Sequence, residues 1–227
     1  TRKPSVAVLV TGDELVEPEI KPQGGQIRNS NGPQLVTQIL KANAIPHYIG
    51  IVSDTEDATN KALSAALAKN DIVILTGGVS MGDYDFVPSV MKKLGIKILF
   101  DSIAIQPGKP TKFGEKDGKL IFGLPGNPVS TYLQFEILIK PVIQKMMRAQ
   151  PKNEFIARLP MAINYSRKRV ERLGIIPVSI TNDKKVIPVE YHGSAHIFAL
   201  ANADGYLMIP IGTSELKEGT LVDVRPL

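Results

Sequence analysis

Short segments of the chain concentrate carboxylates, hydroxyls, glycines and a lysine, the residue types that bind charged ligands. The most informative segment, TGGVSMGDYD at residues 76–85, directly follows an apolar run at residues 72–75. Its glycines allow tight turns and a close approach of the backbone to a ligand. A buried strand that opens into such a loop usually carries the chemistry of an α/β enzyme. The candidate binding residues in this segment are Gly77, Gly78, Ser80, Gly82 and Asp83.

Carboxylates follow three consecutive predicted strands. Glu14 comes after the first strand, Asp54 after the second and Asp85 after the third. Because the carboxyl ends of parallel strands share one edge of a sheet, we expect these acids on one rim, suited to Mg²⁺ or to polar groups of a substrate. Asp54 and Asp85 each also precede a predicted helix, so helix capping is the alternative for either residue alone. Their coincidence on one rim favours a ligand site.

A proline-framed lysine has the opposite character. In QPGKPT, residues 106–111, prolines stand on both sides of Lys109 and stiffen its turn. A lysine that only faces solvent seldom needs a turn that prolines hold rigid. We therefore predict that Lys109, with Pro110 beside it, binds an oxyanion.

A second candidate for anion binding is GLPGNPVS, residues 123–130. Asn127 suits a turn, Pro128 suits the first position of a helix, and the free N–H groups of that helix with Ser130 could hold an anion. The alternative is a loop-to-helix junction in which proline only sets the backbone conformation and no anion binds.

Hydrophobic patterning divides the chain near Gln150. In residues 1–150, short β-branched runs alternate with helical stretches, which predicts a three-layer α/β/α domain with a mostly parallel sheet. Strands are predicted in residues 6–10, 48–52, 72–75, 96–100 and 120–122, and helices in residues 35–42, 58–68, 87–94 and 129–147. In residues 151–227 the helical period disappears, and short strands separated by turn residues predict a small all-β barrel or sandwich.

Composition excludes several classes of protein. The sequence has zero cysteines, which removes disulfides and thiolate chemistry, and no apolar run approaches the roughly 20 residues of a membrane span. We expect a soluble, cytoplasmic protein. The net charge of +5 is spread over both domains, and the one basic cluster, Arg167 to Arg169, has no aromatic neighbours that could stack on bases. We therefore expect no nucleic acid as a partner. We also expect no membrane as a partner.

The phrases TGDEL, GQIRNSN, GGVSMGDYDF, PGKP and GLPGNPVS, in this order, closely resemble the C-terminal half of the molybdopterin molybdenumtransferase (MoeA) family, which includes the gephyrin E domain. The phrase HGSAHIF resembles the last domain of that family. The resemblance implies a MogA-like molybdopterin-binding fold followed by a β-barrel domain. It also implies a reaction: adenylylated molybdopterin and molybdate, or tungstate in some organisms, give molybdenum cofactor and AMP with Mg²⁺.

Site residues follow from this resemblance position by position. Glu14, Asp54 and Asp85 resemble the acidic residues for Mg²⁺ and substrate, with Asp54 and Asp85 as the metal ligands. The resemblance assigns the oxyanion pocket to Lys109, Pro110, Ser130, Arg169 and Ser194. For Arg169, a solvated basic face is an equal alternative. Where the family often has a lysine before PGK, this chain has Gln106, which removes one positive charge.

The resemblance also implies partners. The family's complete protein begins with a further region that helps to form a homodimer, and since no matching phrase occurs here we expect this chain to be a fragment. The molybdopterin adenylyltransferase is a second implied partner. Two alternative functions stay open: a MogA-type molybdopterin adenylyltransferase, against which GLPGNPVS and the appended β domain argue, and a gephyrin-like binding or scaffold module.

Overall fold

A computed structural model describes residues 2–78, 87–149, 156–190, 193 and 195–227. The chain divides into two compact units, one formed by Thr1–Ile103 with Pro110–Ala149 and the other by Ala104–Lys109 with Gln150–Leu227. The segment Ala104–Lys109 lies within the first predicted domain but groups with the second unit. The reason is a short strand, Ile105–Gln106, which pairs with Leu173 and Gly174 of that unit.

The first unit is built on a six-stranded sheet. Its strands in chain order are β1 (Ser5–Thr11), β4 (Ile45–Val52), β5 (Ile72–Thr76), β6 (Lys97–Phe100), β8 (Lys112–Lys116) and β9 (Lys119–Leu124); β2 (Leu15–Val16) and β3 (Ile27–Arg28) pair separately, and β7 is Ile105–Gln106. The order across the sheet is β4-β1-β5-β9-β8-β6. The first four strands in that order are parallel, and β8 runs antiparallel to both its neighbours. The mostly parallel sheet is confirmed.

Helices cover both faces of this sheet. They are α1 (Asn31–Lys41), α2 (Glu56–Lys69), α3 (Val87–Lys93), α4 (Pro128–Gln134) and α5 (Lys140–Met146). Along β1, Val8 packs in a core with Leu35 of α1, whereas the next residue, Leu9, packs in a second core with Leu63 of α2. Since successive side chains of a strand point to opposite faces, helices bury the sheet from both sides. The predicted three-layer α/β/α architecture is confirmed.

The helix predicted at residues 129–147 is continuous but not uniform. Between α4 and α5 the segment Phe135–Ile139 is a π-helix. Pro141 in the first turn of α5 has no N–H, and its ring would meet the carbonyl four residues before it in a regular helix. A wider π-helical turn accommodates that ring.

The second unit is mostly antiparallel. It contains β10 (Ala157–Pro160), β11 (Tyr165–Ser166), β12 (Leu173–Ile180), β13 (Val186–Pro188), α6 (Phe198–Ala201), β14 (Gly205–Ile209), β15 (Glu215–Leu216) and β16 (Leu221–Pro226). The main sheet has the order β10-β16-β14-β12-β13, and β7 joins β12. Met161, Val178, Val186, Leu207 and Val224 belong to its core.

The predicted β-rich C-terminal domain is confirmed, and its described strands do not form a complete closed barrel. In the described part of the unit, the end strands β10 and β13 meet only at an isolated bridge between Met161 and Val186, where Ala162 N donates to Val186 O at 2.8 Å. Both strands are short, and they end at Pro160 and Pro188. Since proline lacks the N–H that would continue a ladder, these two end strands form no longer ladder among the described residues. Among the described residues, no helix is long and apolar enough to cross a membrane.

Candidate functional site

The C-terminal ends of β1, β4 and β5 lie at one edge of the first unit's sheet. Thr11 at the end of β1 pairs with Val52, and Val10 pairs with Thr76 at the end of β5. The polypeptide therefore leaves all three strands at the same edge, which is where ligands bind in open α/β sheets. The residues that follow these strands include Gly12, Asp13, Glu14, Asp54, Gly77 and Gly78.

Gly77 brings two of these strand ends into unusually close contact. A Cβ at Gly77 would lie 2.2 Å from the carbonyl oxygen of Thr11, and the φ of Gly77 is 91°. A side chain is excluded here by both contact and conformation. Gly78 also has a positive φ, of 59°. The close approach at Gly77 is between two parts of the protein's own backbone, and the predicted approach to a ligand stays a prediction.

Three carboxylates share this rim. Asp54 N donates to Asp13 Oδ1 at 3.1 Å, and Asp54 Oδ1 lies 3.4 Å from the position that a Cβ of Gly78 would take. Burial raises the pKa of Asp54, and the negative charges of Asp13 and then Glu14 raise it further. The three neighbouring carboxylates favour a cation or a hydrogen-bond donor as ligand at this rim.

The capping interpretation of Asp54 is wrong. Thr55 is the N-cap of α2, and its side-chain oxygen accepts from Ala58 N at 3.3 Å. The carboxylate of Asp54 is therefore not needed to cap the N-terminus of α2. In the ranges that the structure describes, no group of three or more His, Asp or Glu side chains is arranged to hold a metal ion.

The loop after β9 joins the same edge. Gly77 N donates to Leu124 O at 3.4 Å, and a Cβ at Gly126 would lie 3.6 Å from the Cα of Gly77. Asn127 adopts an extended conformation at the N-cap of α4, with Pro128 in the first turn as predicted. Ser130, one turn into α4, is buried. The structure thus brings Asn127 and Ser130 into the segment that adjoins Gly77.

A buried hydrogen-bond network fixes that loop. The side-chain amide of Asn31 donates to Thr76 Oγ1 at 3.0 Å and to Gly126 O at 2.7 Å. The Thr76 hydroxyl donates to Pro125 O at 3.0 Å, and the Thr131 hydroxyl donates to the same carbonyl at 2.5 Å. Because three of these four bonds are buried and the Asn31–Gly126 bond is part-buried, the network holds the loop against the end of β5.

The loop after β1 is anchored by a second set of polar contacts. The Tyr48 hydroxyl donates to Glu17 Oε1 at 2.7 Å and accepts from Asn29 Nδ2 at 2.6 Å. Asn29 Oδ1 in turn accepts from Gly32 N at 3.0 Å. Burial and the hydrogen bond to Glu17 raise the pKa of Tyr48, so its hydroxyl remains a donor. This anchor restrains the segment that begins with Asp13 and Glu14.

The basic candidates belong to different segments. Lys109 is partly buried and ends the Ala104–Lys109 segment of the second unit, whereas Pro110 begins the second segment of the first unit. Arg169 is exposed in the loop between β11 and β12. Arg167 is structural, because its guanidinium donates to Thr213 O at 2.7 Å, Arg172 O at 2.8 Å and Pro210 O at 2.6 Å. The basic cluster of the sequence is therefore not one uniform face.

Five of the predicted site residues lie outside the described residues. They are Ser80, Gly82, Asp83, Asp85 and Ser194.

Known protein families match both units. Residues 7–145 match the family described as "Probable molybdopterin binding domain", and residues 158–227 match "MoeA C-terminal region (domain IV)". The chain belongs to the MoeA family. Its domain order, an α/β/α domain followed by the MoeA C-terminal region, is the one that the sequence resemblance implied.

MoeA relatives match over nearly the whole chain. The chain is 37% identical over 228 residues to a molybdopterin molybdenumtransferase of Staphylococcus epidermidis and 33% identical over 225 residues to that of Bacillus subtilis, and each match covers 98% of this chain. Two solved MoeA structures from Pyrococcus horikoshii have TM-scores of 0.87 and 0.80 at 29% and 26% identity, and each match covers 99% of this chain.

The chain spans about half the length of these MoeA relatives. It covers 54% and 52% of the two curated proteins and 55% and 54% of the two solved chains. The family assignment rests on the part of the MoeA relatives that this chain matches.

Sequence reasoning did not single out several polar residues at this edge of the sheet. Thr11, Asn31 and Thr76 stand inside the phrases TGDEL, GQIRNSN and TGGVSMGDYD, and Thr131 directly follows GLPGNPVS, but their side chains carried no prediction. The available signal was a polar residue at the end of a buried strand or the start of a helix. That signal could not distinguish residues bonded to the protein from residues open to a ligand.

Proposed function

We propose that this chain carries part of the active site for molybdenum cofactor biosynthesis: insertion of molybdate, or tungstate, into adenylylated molybdopterin with release of AMP, in the presence of Mg²⁺. The observation that carries the proposal is the acidic rim. Asp13, Glu14 and Asp54 interact with one another, and Asp54 lies beside Gly78, at the ligand-binding edge of a domain that matches the molybdopterin-binding family.

The acidic residues would serve the nucleotide side of the reaction. Asp54 and Asp85 would hold Mg²⁺, and the oxygen donors and neighbouring carboxylates of Asp54 fit a hard cation. When bound, the cation neutralises the phosphoanhydride and makes AMP a better leaving group. Glu14 would complete the negative rim, and Gly77 with Gly78 would let the substrate approach the backbone. Ser80, Gly82 and Asp83 are proposed contacts from the resemblance.

The basic and hydroxyl residues would bind the molybdate substrate. Molybdate is a tetrahedral dianion, so charged donors and hydroxyls suit its oxygens. Lys109 and Arg169 would supply the positive charge, and Pro110 would restrict the backbone after Lys109. Asn127, Ser130 and Ser194 would supply polar groups.

Calorimetric titration of the chain with molybdate and tungstate, with sulfate as the control dianion, tests this proposal. We expect molybdate or tungstate to bind more tightly than sulfate. In Lys109→Ala the affinity should fall about tenfold or more, because a charge-assisted hydrogen bond is lost. Lys168→Ala is the matched control, since Lys168 is an exposed lysine with no proposed role. Equal binding of sulfate and molybdate, or equal losses in the two variants, would remove the oxyanion assignment.

The partners are also proposals. We propose a homodimer for the complete protein, the molybdopterin adenylyltransferase as the source of its substrate, and a cytoplasmic location. Sedimentation velocity of the complete protein, co-purification with the adenylyltransferase and cell fractionation test these points separately.

A further inference from the structure

One buried hydroxyl at the acidic rim has no hydrogen-bond partner within the described residues. Thr11 is 4% exposed, and its Oγ1 is buried without a partner among the residues that the structure describes. This oxygen lies 2.8 Å from the Cβ position of Gly77 and 3.0 Å from that of Gly78. Asp54 Oδ1 lies 3.4 Å from the same Cβ position of Gly78. The unpartnered hydroxyl and the carboxylate oxygen thus both lie close to Gly78.

An unpartnered buried hydroxyl needs a physical explanation. Most buried polar atoms in folded proteins are hydrogen-bonded, because a group that loses water without gaining a partner lowers stability. The preceding β1 residues Val6, Val8 and Val10 are almost fully buried, and valine has the same shape as threonine. Valine at position 11 would therefore fit without the cost of the hydroxyl. The hydroxyl is best explained by a bond that forms only with a ligand.

Thr76, at the end of the neighbouring strand β5, has a hydroxyl with a structural role and serves as a comparison for Thr11. It is fully buried, accepts from Asn31 Nδ2 at 3.0 Å and donates to Pro125 O at 3.0 Å. Val10, the residue before Thr11, pairs with Thr76 across β1 and β5. The two threonines therefore end adjacent strands, but only the hydroxyl of Thr76 is hydrogen-bonded within the described part of the protein.

The charge around Thr11 indicates which kind of ligand group it meets. Asp54, Asp13 and Glu14 place negative charge on this rim. A ligand group held there is a hydrogen-bond donor, so the Thr11 hydroxyl accepts. Such a donor is an N–H of the pterin ring or an O–H of water bound to Mg²⁺.

We propose that Thr11 is a ligand-contacting residue of the molybdopterin site, and that its hydroxyl accepts a hydrogen bond from an N–H or O–H donor of the bound ligand. The assignment rests on the proposed function, because that function names the ligand.

Three variants of the 227-residue chain test the assignment. Thr11→Val removes the hydroxyl and keeps the shape, Thr11→Ser keeps the hydroxyl, and Thr76→Val is the structural control. Molybdopterin binding is measured by titration under anaerobic conditions, with Mg²⁺ and with EDTA. The free energy of unfolding is measured with urea for all variants without ligand.

For Thr11→Val we expect molybdopterin binding about tenfold weaker and an unfolding midpoint equal to or above that of the wild type. Thr11→Ser should bind within about threefold of the wild type. Thr76→Val should unfold at a lower urea concentration, since its bonds are internal. Weaker binding in EDTA as well as in Mg²⁺ assigns the donor to the pterin, and weaker binding only with Mg²⁺ assigns it to metal-bound water.

Two results would overturn the assignment while leaving the proposed function intact. One is wild-type affinity in Thr11→Val. The other is a destabilisation of Thr11→Val as large as that of Thr76→Val, which would mean that the hydroxyl is bonded within the protein. Failure of the wild-type chain to bind molybdopterin would instead overturn the proposed function, together with the ligand assigned to Thr11.

Discussion

The carboxylates at the two ends of the paired strands β1 and β5 have opposite pKa shifts. At the start of the strands, the Asp71 carboxylate accepts from Ser5 N at 2.7 Å, Ser5 Oγ at 2.9 Å and Arg2 Nη2 at 2.5 Å. Burial raises the pKa of Asp71, but these hydrogen bonds and the charge of Arg2 outweigh it and hold the pKa below its usual value. At the other end, burial and neighbouring carboxylates raise the pKa of Asp54.

The difference separates stability from ligand binding within one sheet. A carboxylate with a lowered pKa stabilises the folded chain in its charged form, whereas one with a raised pKa destabilises it. Asp71 is satisfied by protein donors, whereas Asp54 and Thr11 receive no hydrogen bond at their side-chain oxygens from the described residues. Groups left unsatisfied at the ligand-binding edge remain available to a substrate.

The largest effect should come from Gly77→Ala. The new methyl group would lie 2.2 Å from Thr11 O in a backbone with a φ of 91°, so we expect a loss of roughly 3 kcal/mol or more in the free energy of unfolding. Gly50→Ala is the control, because Gly50 has a φ of 106° but nothing within 4 Å of its Cβ position. Urea unfolding of both variants measures the difference. Equal losses would show that conformation, and not the contact between strand ends, makes glycine necessary.

Asp71→Ala should have the next largest effect. Removal of a partly buried carboxylate that accepts three hydrogen bonds should lower the free energy of unfolding by about 2 kcal/mol at pH 7. Because the folded pKa is depressed, the wild-type advantage should be complete above the ordinary pKa of 3.8 and disappear as the pH falls through the folded pKa. Urea unfolding across this pH range measures the effect. A difference that does not change with pH would contradict the assigned charge.

Asp54→Asn should have the smallest effect, with the opposite sign. Removal of the charge should raise the free energy of unfolding by about 0.5 kcal/mol near pH 7, since the residue is only partly buried. The folded pKa of Asp54 is raised, so the destabilisation of the wild type is present above that pKa and fades as the pH falls through it towards 3.8. The same variant should lose Mg²⁺-dependent ligand binding. A loss of stability in Asp54→Asn would remove the contrast with Asp71.

The parallel part of the fold was predictable because each strand carries its own signal. The strands β1, β5 and β9 are β-branched or apolar runs, and the helices between them have clear amphipathic patterns or caps. The antiparallel strand β8, with the sequence KFGEK, was missed because a short charged segment has no such pattern. The strand β7 has two residues and exists only because β12 pairs with it.

The rim of the site was predictable for a topological reason. Parallel strands joined by helices leave their carboxyl ends on one edge, so the positions of Glu14 and Asp54 after the first two predicted strands, β1 and β4 of the structure, indicated their common location. The network of Asn31 was not predictable in the same way. The side-chain amide of Asn31 donates hydrogen bonds to Thr76 and Gly126, which lie 45 and 95 residues away in the sequence.

The sequence by itself determined the family, the α/β/α domain and the edge of the sheet where the acids collect, because apolar periodicity and short motifs are local properties. Only the tertiary structure decided which polar groups are already bonded. The hydroxyls of Thr11 and Thr76 follow similar buried strands, yet one is unpartnered among the described residues and the other lies in a network. Hydrogen bonding depends on atoms that folding brings from distant segments, and no local pattern records them.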